Sequence, residues 1–411
     1  MAMFTLAIDF GTSNSAVAVH DGSAVRRIPV AEGEDTLPTA VFFPADKGAM
    51  RIGQPAVRAL IEGEEGRFMR ALKSILGTAL FHEPRLIAGR RRTLAEVVTA
   101  FLADLRTRAE ARTGLRFTRA LSGRPVHFHN DPERDARAEE DLRGCYLGAG
   151  FTDVAFMFEP EAAALAAQGL TEGTGLIVDI GGGTSDFSVF RVEEGRVRIL
   201  ASHGLRLGGT DFDQTVSMSH AMPLLGHGGA LTRSMGKGLL PVPNAVYLDL
   251  ATWARIPFVY SPETRRLVAD MLKHAVDARA IGRLQKVIGE ELGHSLAFAV
   301  EKGKIAANSG ANDARINMAF IERGLAAPIG AASLEEALAG QRAPLRMAME
   351  ETLRMAGLGA AAIDSVVLVG GSSLMGLVTS EALALCPGAR QLRAEAFTAV
   401  VDGLAIASRP A

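Results

Sequence analysis

Two stretches far apart in the chain share one pattern of apolar and polar positions. Leu6-Ala-Ile-Asp-Phe-Gly-Thr-Ser-Asn-Ser-Ala-Val-Ala-Val19 and Leu176-Ile-Val-Asp-Ile-Gly-Gly-Gly-Thr-Ser-Asp-Phe-Ser-Val189 both run from β-prone residues to an Asp. Each then passes through Gly and Thr into a second β-prone run. The pattern predicts a duplicated β-hairpin, and repetition on that scale predicts two related halves. The seam between them is expected near 165–175, where Leu170-Thr-Glu-Gly-Thr-Gly175 supplies loop chemistry after an Ala-rich stretch. Apolar residues three and four apart predict helices at 93–113, at 133–149 and from Glu161 to Gln168. The second half reads as helical over 262–310, 333–339 and 344–356. Its buried strand, Ile363 to Val369, ends in Gly370-Gly371-Ser372-Ser373. Residues 223–261 are rich in Gly and Pro, hold the only Trp, Trp253, and read as part of a smaller inserted subdomain. Strands alternating with helices make the expected fold α/β, with helices laid on sheets.

At 411 residues the chain is long enough for more than one domain of roughly 100–200 residues. Hydrophobic residues are 48% and charged residues 22%, so a sizeable core is available. A net charge of −2 favours neither nucleic acid nor an anionic membrane as partner. No run approaches the ~18 apolar residues of a membrane span. The two cysteines, Cys145 and Cys386, sit in apolar surroundings and read as small buried hydrophobes. Together these lead us to expect a cytoplasmic protein.

A phosphate chain needs close backbone approach, inward N–H donors and a divalent cation. Gly11 permits a turn without a Cβ, and Thr12, Ser13 and Asn14 add backbone and side-chain donors. Gly181, Gly182, Gly183 and Thr184 offer the same from the other hairpin. Two such hairpins face to face could clamp the β- and γ-phosphates. Asp9 and Asp179, just before the turns, could hold Mg²⁺ through its waters. Asp186 could orient an attacking water or join the metal shell. Taken singly, each hairpin is an ordinary β-turn; the pairing carries the signal. Competing devices are absent: no Gly-x₄-Gly-Lys-Ser/Thr loop, no Gly-x-Gly-x-x-Gly after a strand, no zinc spacing and no Gly-x-Ser-x-Gly elbow. His127 and His129 could pair on a metal but read as ordinary polar positions.

At these residues the chain resembles the nucleotide-binding domain of DnaK-type heat-shock chaperones, within the actin/hexokinase ATPase superfamily. Ala7 to Ser15 looks like that family's first phosphate loop and Val178 to Phe187 like its second. Phe158-Glu-Pro-Glu-Ala-Ala-Ala-Leu165 is similar to its connecting helix, which makes Glu159 a catalytic candidate. Leu207-Gly-Gly-Thr-Asp-Phe-Asp213, with Gly208 and Gly209, resembles a signature of chaperone members rather than sugar kinases. Val366 to Met375 looks like the adenosine motif, with Gly370, Gly371 and Ser372 near the nucleoside. Ala71-Leu-Lys-Ser-Ile-Leu-Gly77 resembles the segment of the catalytic Lys, which would be Lys73; read alone, it is a surface lysine. Glu301-Lys-Gly-Lys304 resembles the helix that contacts adenine and ribose; read alone, Glu301 and Lys304 are a solvated ion pair.

The resemblance implies an α/β, two-lobed actin-like ATPase of duplicated ribonuclease H-like domains, with ATP or ADP and Mg²⁺ in the cleft. Lobe I would span 1–170 and lobe II 171–411, with an insert at about 214–295 and a final helix, 396–411, packed back onto lobe I. Catalysis would fall to Lys73, Glu159, Asp186 and Thr184. Departures are visible: Ile305 stands where the family stacks an Arg on adenine, and Asn308 where a Ser contacts the nucleoside. Base selectivity or affinity would change accordingly. The length to Ala411 implies the shortened YegD-like subgroup, lacking a peptide-binding domain. The function expected is a Mg²⁺-dependent ATPase acting on an unidentified protein partner. Alternatives from the same superfamily are a small-molecule kinase or phosphatase, a filament former, or a nucleotide sensor with negligible turnover.

Overall fold

Both hairpins form where the pattern puts them. The computed structural model describes residues 4–31, 33–46, 48–129, 131–167, 171–233, 236–393 and 398–409. In the first hairpin β1 (Thr5–Phe10) runs antiparallel to β2 (Asn14–His20), which pairs with β3 (Val25–Arg27). On its other side β1 pairs in parallel with β4 (Arg119–Arg124), and β4 in parallel with β5 (Asp153–Phe158). The second hairpin joins β6 (Gly173–Ile180) to β7 (Ser185–Glu193), with β8 (Arg196–Leu205) antiparallel beyond. Parallel strands β9 (Ser365–Val369) and β10 (Arg390–Arg393) again complete the sheet. The orders β5-β4-β1-β2-β3 and β10-β9-β6-β7-β8 correspond strand for strand, including direction. The repeat read from two short hairpins thus extends to two whole five-stranded paths.

The helices used below are α1 (Leu94–Thr113), α2 (Pro132–Gly148), α3 (Glu159–Ala166), α4 (Gly209–Val216), α5 (Gly293–Asn308) and α6 (Ala399–Ala407). Thr93 and Glu96 form a reciprocal capping box that starts α1 at the predicted place. Asp131 caps α2 through the Arg134 amide. The predicted helical stretch 262–310 is three helices, Pro262–His274, Ala278–Gly289 and α5. Asp277 caps the second of these, and Glu291 breaks the chain before the third at φ 57°. The predicted helix end at Gln168, the seam residue Leu170 and Phe397 of the final segment lie outside the described residues.

The chain divides into two compact units. The first comprises 1–205, 346–374 and 379–411; the second comprises 206–345 and 375–378. Both sheets that carry these five-stranded paths fall in the first unit, so the seam expected at 170/171 runs inside it. The second unit takes in the region expected as the insert, and there Trp253 meets His294 and Phe298 edge-on at 4.9 and 5.1 Å.

Alternation along β1 and β2 decides what covers each face of the first sheet. Leu6, Ile8, Phe10, Val17 and Val19 pack with Val97, Phe101 and Leu105 of α1 and Leu142 and Tyr146 of α2. The opposite face shows Ala7, Ala16 and Ala18, and these small side chains meet Ala162 to Ala164 of α3 and Val400, Val401 and Leu404 of α6. Ile177 and Val367 of the second sheet join the same cluster. The two helices cross so closely that a Cβ on Gly403 would stand 1.7 Å from the Ala162 carbonyl oxygen. Arg27 of β3 ties α6 down with a forked pair to Asp402 (Nη2 to Oδ2, 2.7 Å).

Gly403→Val should therefore cost ~2–4 kcal/mol in urea unfolding, because backbone blocks the new side chain. Gly144→Ala on α2, where an added Cβ meets nothing within 4 Å, should be neutral or slightly stabilising. Equal stability of the two variants would contradict this packing.

Candidate functional site

The two hairpin turns of the first unit touch. A Cβ on Gly182 would stand 2.6 Å from Ser13 Oγ, so the second loop comes within side-chain contact of the first. Gly11 is equally constrained, since its Cβ would fall 2.2 Å from the Asn14 carbonyl oxygen. Gly370, at the end of β9, has φ +81°, and a Cβ there would lie 2.6 Å from Ile180 O and 2.7 Å from Asp179 Oδ1. The second turn thus lies against the first, and the end of β9 against Asp179. Gly371 and Ser372 follow in the short helical turn Gly371–Leu374.

Around these turns the sheets gather charge. Asp9 pairs across the first hairpin with Ala16, and Asp179 across the second with Asp186. Lys73 lies in a 3₁₀ turn, Leu72–Ile75, entered through Ala71 at φ 56°, ψ 35°. A non-glycine residue in that region is strained, and the strain sits one residue pair before the ammonium it delivers. Glu159 opens α3, next to Pro160, where a carboxylate suits the positive end of the helix. Its side chain lies over Gly123, whose Cβ would be 3.1 Å from Glu159 Cγ. Lys73 Nζ, which is buried, and Glu159 Oε1, which is half-buried, form an ion pair.

The proximity shifts the acids' titration. Burial, then the Glu159 charge, push Asp9 up to about 7 against a pull from Lys73. Burial and Glu159 push Asp186 up to about 6, opposed by Lys73 and by a hydrogen bond from Thr184. Asp179 is held well above the carboxylate range by burial first, then by Asp186, Glu159 and Asp9. Four carboxylates share one ammonium, so the pocket is short of positive charge. Among the described residues no group of three or more His, Cys, Asp or Glu could hold a metal ion. A cation drawn here would be held through water, as Mg²⁺ commonly is. The acid-tipped hairpins and glycine turns fit such a hydrated cation beside phosphate.

Other predicted positions lie in the second unit. Gly208 and Gly209 lead into α4, where Asp211 Oδ2 accepts from the Gly208 amide at 2.8 Å. Lys304 is buried and pairs with Asp213 Oδ1 at 2.7 Å, not with Glu301, which is exposed. Asn308 Oδ1 accepts from the Gly376 amide at 2.9 Å. Ile305 is exposed. The sequence offers Asp213 only within a motif; its pairing with Lys304 comes from the fold. Thr12, Gly181, Gly183 and Thr184 stand exposed in the turns. Cys145 and Cys386 are buried free thiols. No helix among the described residues is long and apolar enough to cross a membrane.

This mixed α/β build, with duplicated sheets, fits an actin-like ATPase fold. The Hsp70 protein family matches residues 5–95 and 84–223, more than half of the chain, and the chain belongs to that family. Among curated relatives, the chaperone protein DnaK of Thermosipho melanesiensis is 35% identical over 219 residues, covering 52% of this chain and 35% of the relative. DnaK of Thermotoga maritima is 36% identical over 217 residues, covering 51% of this chain and 34% of its own. The matched segment therefore spans about a third of these relatives' length.

The raised carboxylates set a pH dependence. In the unfolded chain Asp9 and Asp186 ionise near 4, whereas the fold raises Asp9 to about 7 and Asp186 to about 6. The folded state thus binds more protons over that window, and stability falls as pH rises through it. In chelator, melting of the wild type relative to Asp9→Asn should drop progressively between about pH 4 and pH 7. A constant difference would show that Asp9 ionises normally.

Proposed function

We propose that the chain binds ATP and ADP with Mg²⁺ and hydrolyses ATP, as a chaperone-type ATPase acting on a protein partner. The observation that carries this reading is the meeting of two glycine-built, Asp-tipped turns around the Lys73–Glu159 ion pair. Family membership and the DnaK relatives support it. In this reading the turn Gly11, Thr12, Ser13, Asn14 and the turn Gly181, Gly182, Gly183, Thr184 present amides and hydroxyls to phosphate oxygens. Asp9 and Asp179 would hold Mg²⁺ through water; when bound, the ion offsets triphosphate charge. Lys73 supplies a fixed ammonium near the transferred phosphate, and Glu159 with Asp186 orients the attacking water. An Asp186 pKa of about 6 suits a group that accepts and returns a proton near neutrality.

Gly370, Gly371 and Ser372, with Gly208, Gly209, Glu301, Lys304 and Asn308, remain nucleoside candidates through the resemblance. The halves 1–170 and 171–411 correspond to the duplicated lobes of that reading. Kinship with the YegD-like subgroup and a cytoplasmic location belong to the same proposal. Two observations favour a second reading, a nucleotide sensor with negligible turnover: Lys73 and Glu159 neutralise each other, and Ile305 offers no cationic stack.

Calorimetry should find ATP and ADP binding that needs Mg²⁺, and single-turnover assays should detect phosphate release. Asp179→Asn or Asp186→Asn should lower the hydrolysis rate by ~10²-fold, the scale of a lost electrostatic group. Tight binding with no release in the wild type would select the sensor. No Mg²⁺-dependent binding would overturn both readings.

A further inference from the structure

Arg124, which the sequence offers only as part of Leu121-Ser-Gly-Arg-Pro-Val-His-Phe128, ends β4 beside the candidate site. Its Cα is the register partner of Phe158, the last residue of β5 and the cap of α3. The guanidinium lies over two rings, 5.2 Å from the Phe128 centroid and 5.3 Å from that of Phe158. Its far nitrogens reach α2, with Nη2 3.1 Å from Asp135 Oδ2 and Nη1 on Glu139 Oε2. Its Nε donates to Pro125 O at 3.0 Å. Asp135 in turn accepts the Phe128 and His129 amides, and Arg143 holds the other Glu139 oxygen at 3.0 Å. Arg124 forms one wall of a cavity of about 440 Å³ that His127, His129 and Glu140 also line.

Phe158 is bonded directly to Glu159. Fixing the Phe158 ring fixes the turn into α3, and with it the direction in which Glu159 meets Lys73. Arg124 is suited to this because its guanidinium is planar: the faces pack on aromatics while the edge donates to carboxylates. Lysine has the charge but not the two faces.

We propose that Arg124 is a positioning residue for the Lys73–Glu159 pair, acting through the Phe158 ring. The inference rests on the ATPase reading only for its kinetic consequence; the positioning itself has a separate readout. Arg124 touches neither reacting group. Loss of the clamp lets the first turn of α3 shift, and small misplacements of a catalytic group slow chemistry more than they weaken binding.

The test uses Arg124→Met, Arg124→Lys and Phe158→Leu in the full chain. Single-turnover hydrolysis should slow by about tenfold in Arg124→Met, with Mg²⁺·ATP affinity within about twofold of wild type. Arg124→Lys should recover little of the rate. Phe158→Leu should match Arg124→Met, and the double variant should be no slower than either, because both break one linkage. In the nucleotide-free chain, acetylation of Lys73 by acetic anhydride, followed by mass spectrometry, should be several-fold faster in both single variants. Unchanged hydrolysis, or unchanged Lys73 labelling, overturns the proposal, as does a loss of ATP affinity as large as the loss of rate. Should Arg124→Met fail to fold, Phe158→Leu decides on the same criteria. Faster Lys73 labelling in the variants of a chain that hydrolyses no ATP would uphold the positioning role and defeat the ATPase reading.

Discussion

Burying carboxylates without enough cations is the constraint on which the rest of this structure depends. Asp9, Asp179, Asp186 and Glu159 converge from two sheets and one helix on a single ammonium, that of Lys73. An ionised carboxylate taken out of water is costly unless it is paired, so such a cluster persists only if the surrounding fold is firm enough to impose it. The firmness comes from below: the strands that carry Asp9 and Asp179 have Leu6, Ala7, Ile8 and Leu176, Ile177, Val178 buried immediately before them. The acids ride at the ends of strands that cannot retreat from the core.

The same economy explains the small residues. Alanines on one face of β1 and β2, the alanines of α3 and Gly403 of α6 allow two helices to lie against the sheet at short range. That crossing fixes α3, and α3 presents Glu159. Gly182, Gly11 and Gly370 play the corresponding part at the hairpin turns and the end of β9, each placed where a Cβ would meet a neighbouring backbone or side-chain atom. Packing and site are one design here, since the side chains omitted from the core side of α3 permit the position of the acid at its start. Arg124 adds lateral control, holding Phe158 between the sheet and α2.

Membership of the Hsp70 family gives these features a common frame, yet the chain has its own local chemistry. Lys304 is committed to Asp213 inside the second unit, Asn308 to the amide of Gly376, and Ile305 faces solvent. These contacts lie in the second compact unit, whereas the two hairpin turns and Gly370 to Ser372 belong to the first.

By itself the sequence determined the two hairpins, their Asp and Gly positions, the start of α1 and the α/β class. These are set by short-range physics: period-two alternation, turn residues and a capping box act within a few residues of one another. It also showed the repeat, though only at the hairpins, because the remaining strands of each path have no shared local motif. Lys73 and Glu159 were visible only through resemblance, since nothing in their neighbouring residues distinguishes a partly buried ion pair from two surface charges. Tertiary structure alone decided that these two meet, that Asp213 rather than Glu301 takes Lys304, that both sheets share one compact unit, and that Arg124 grips Phe158. Those are long-range facts, fixed by which faces can bury one another and by which charges must then find partners out of water.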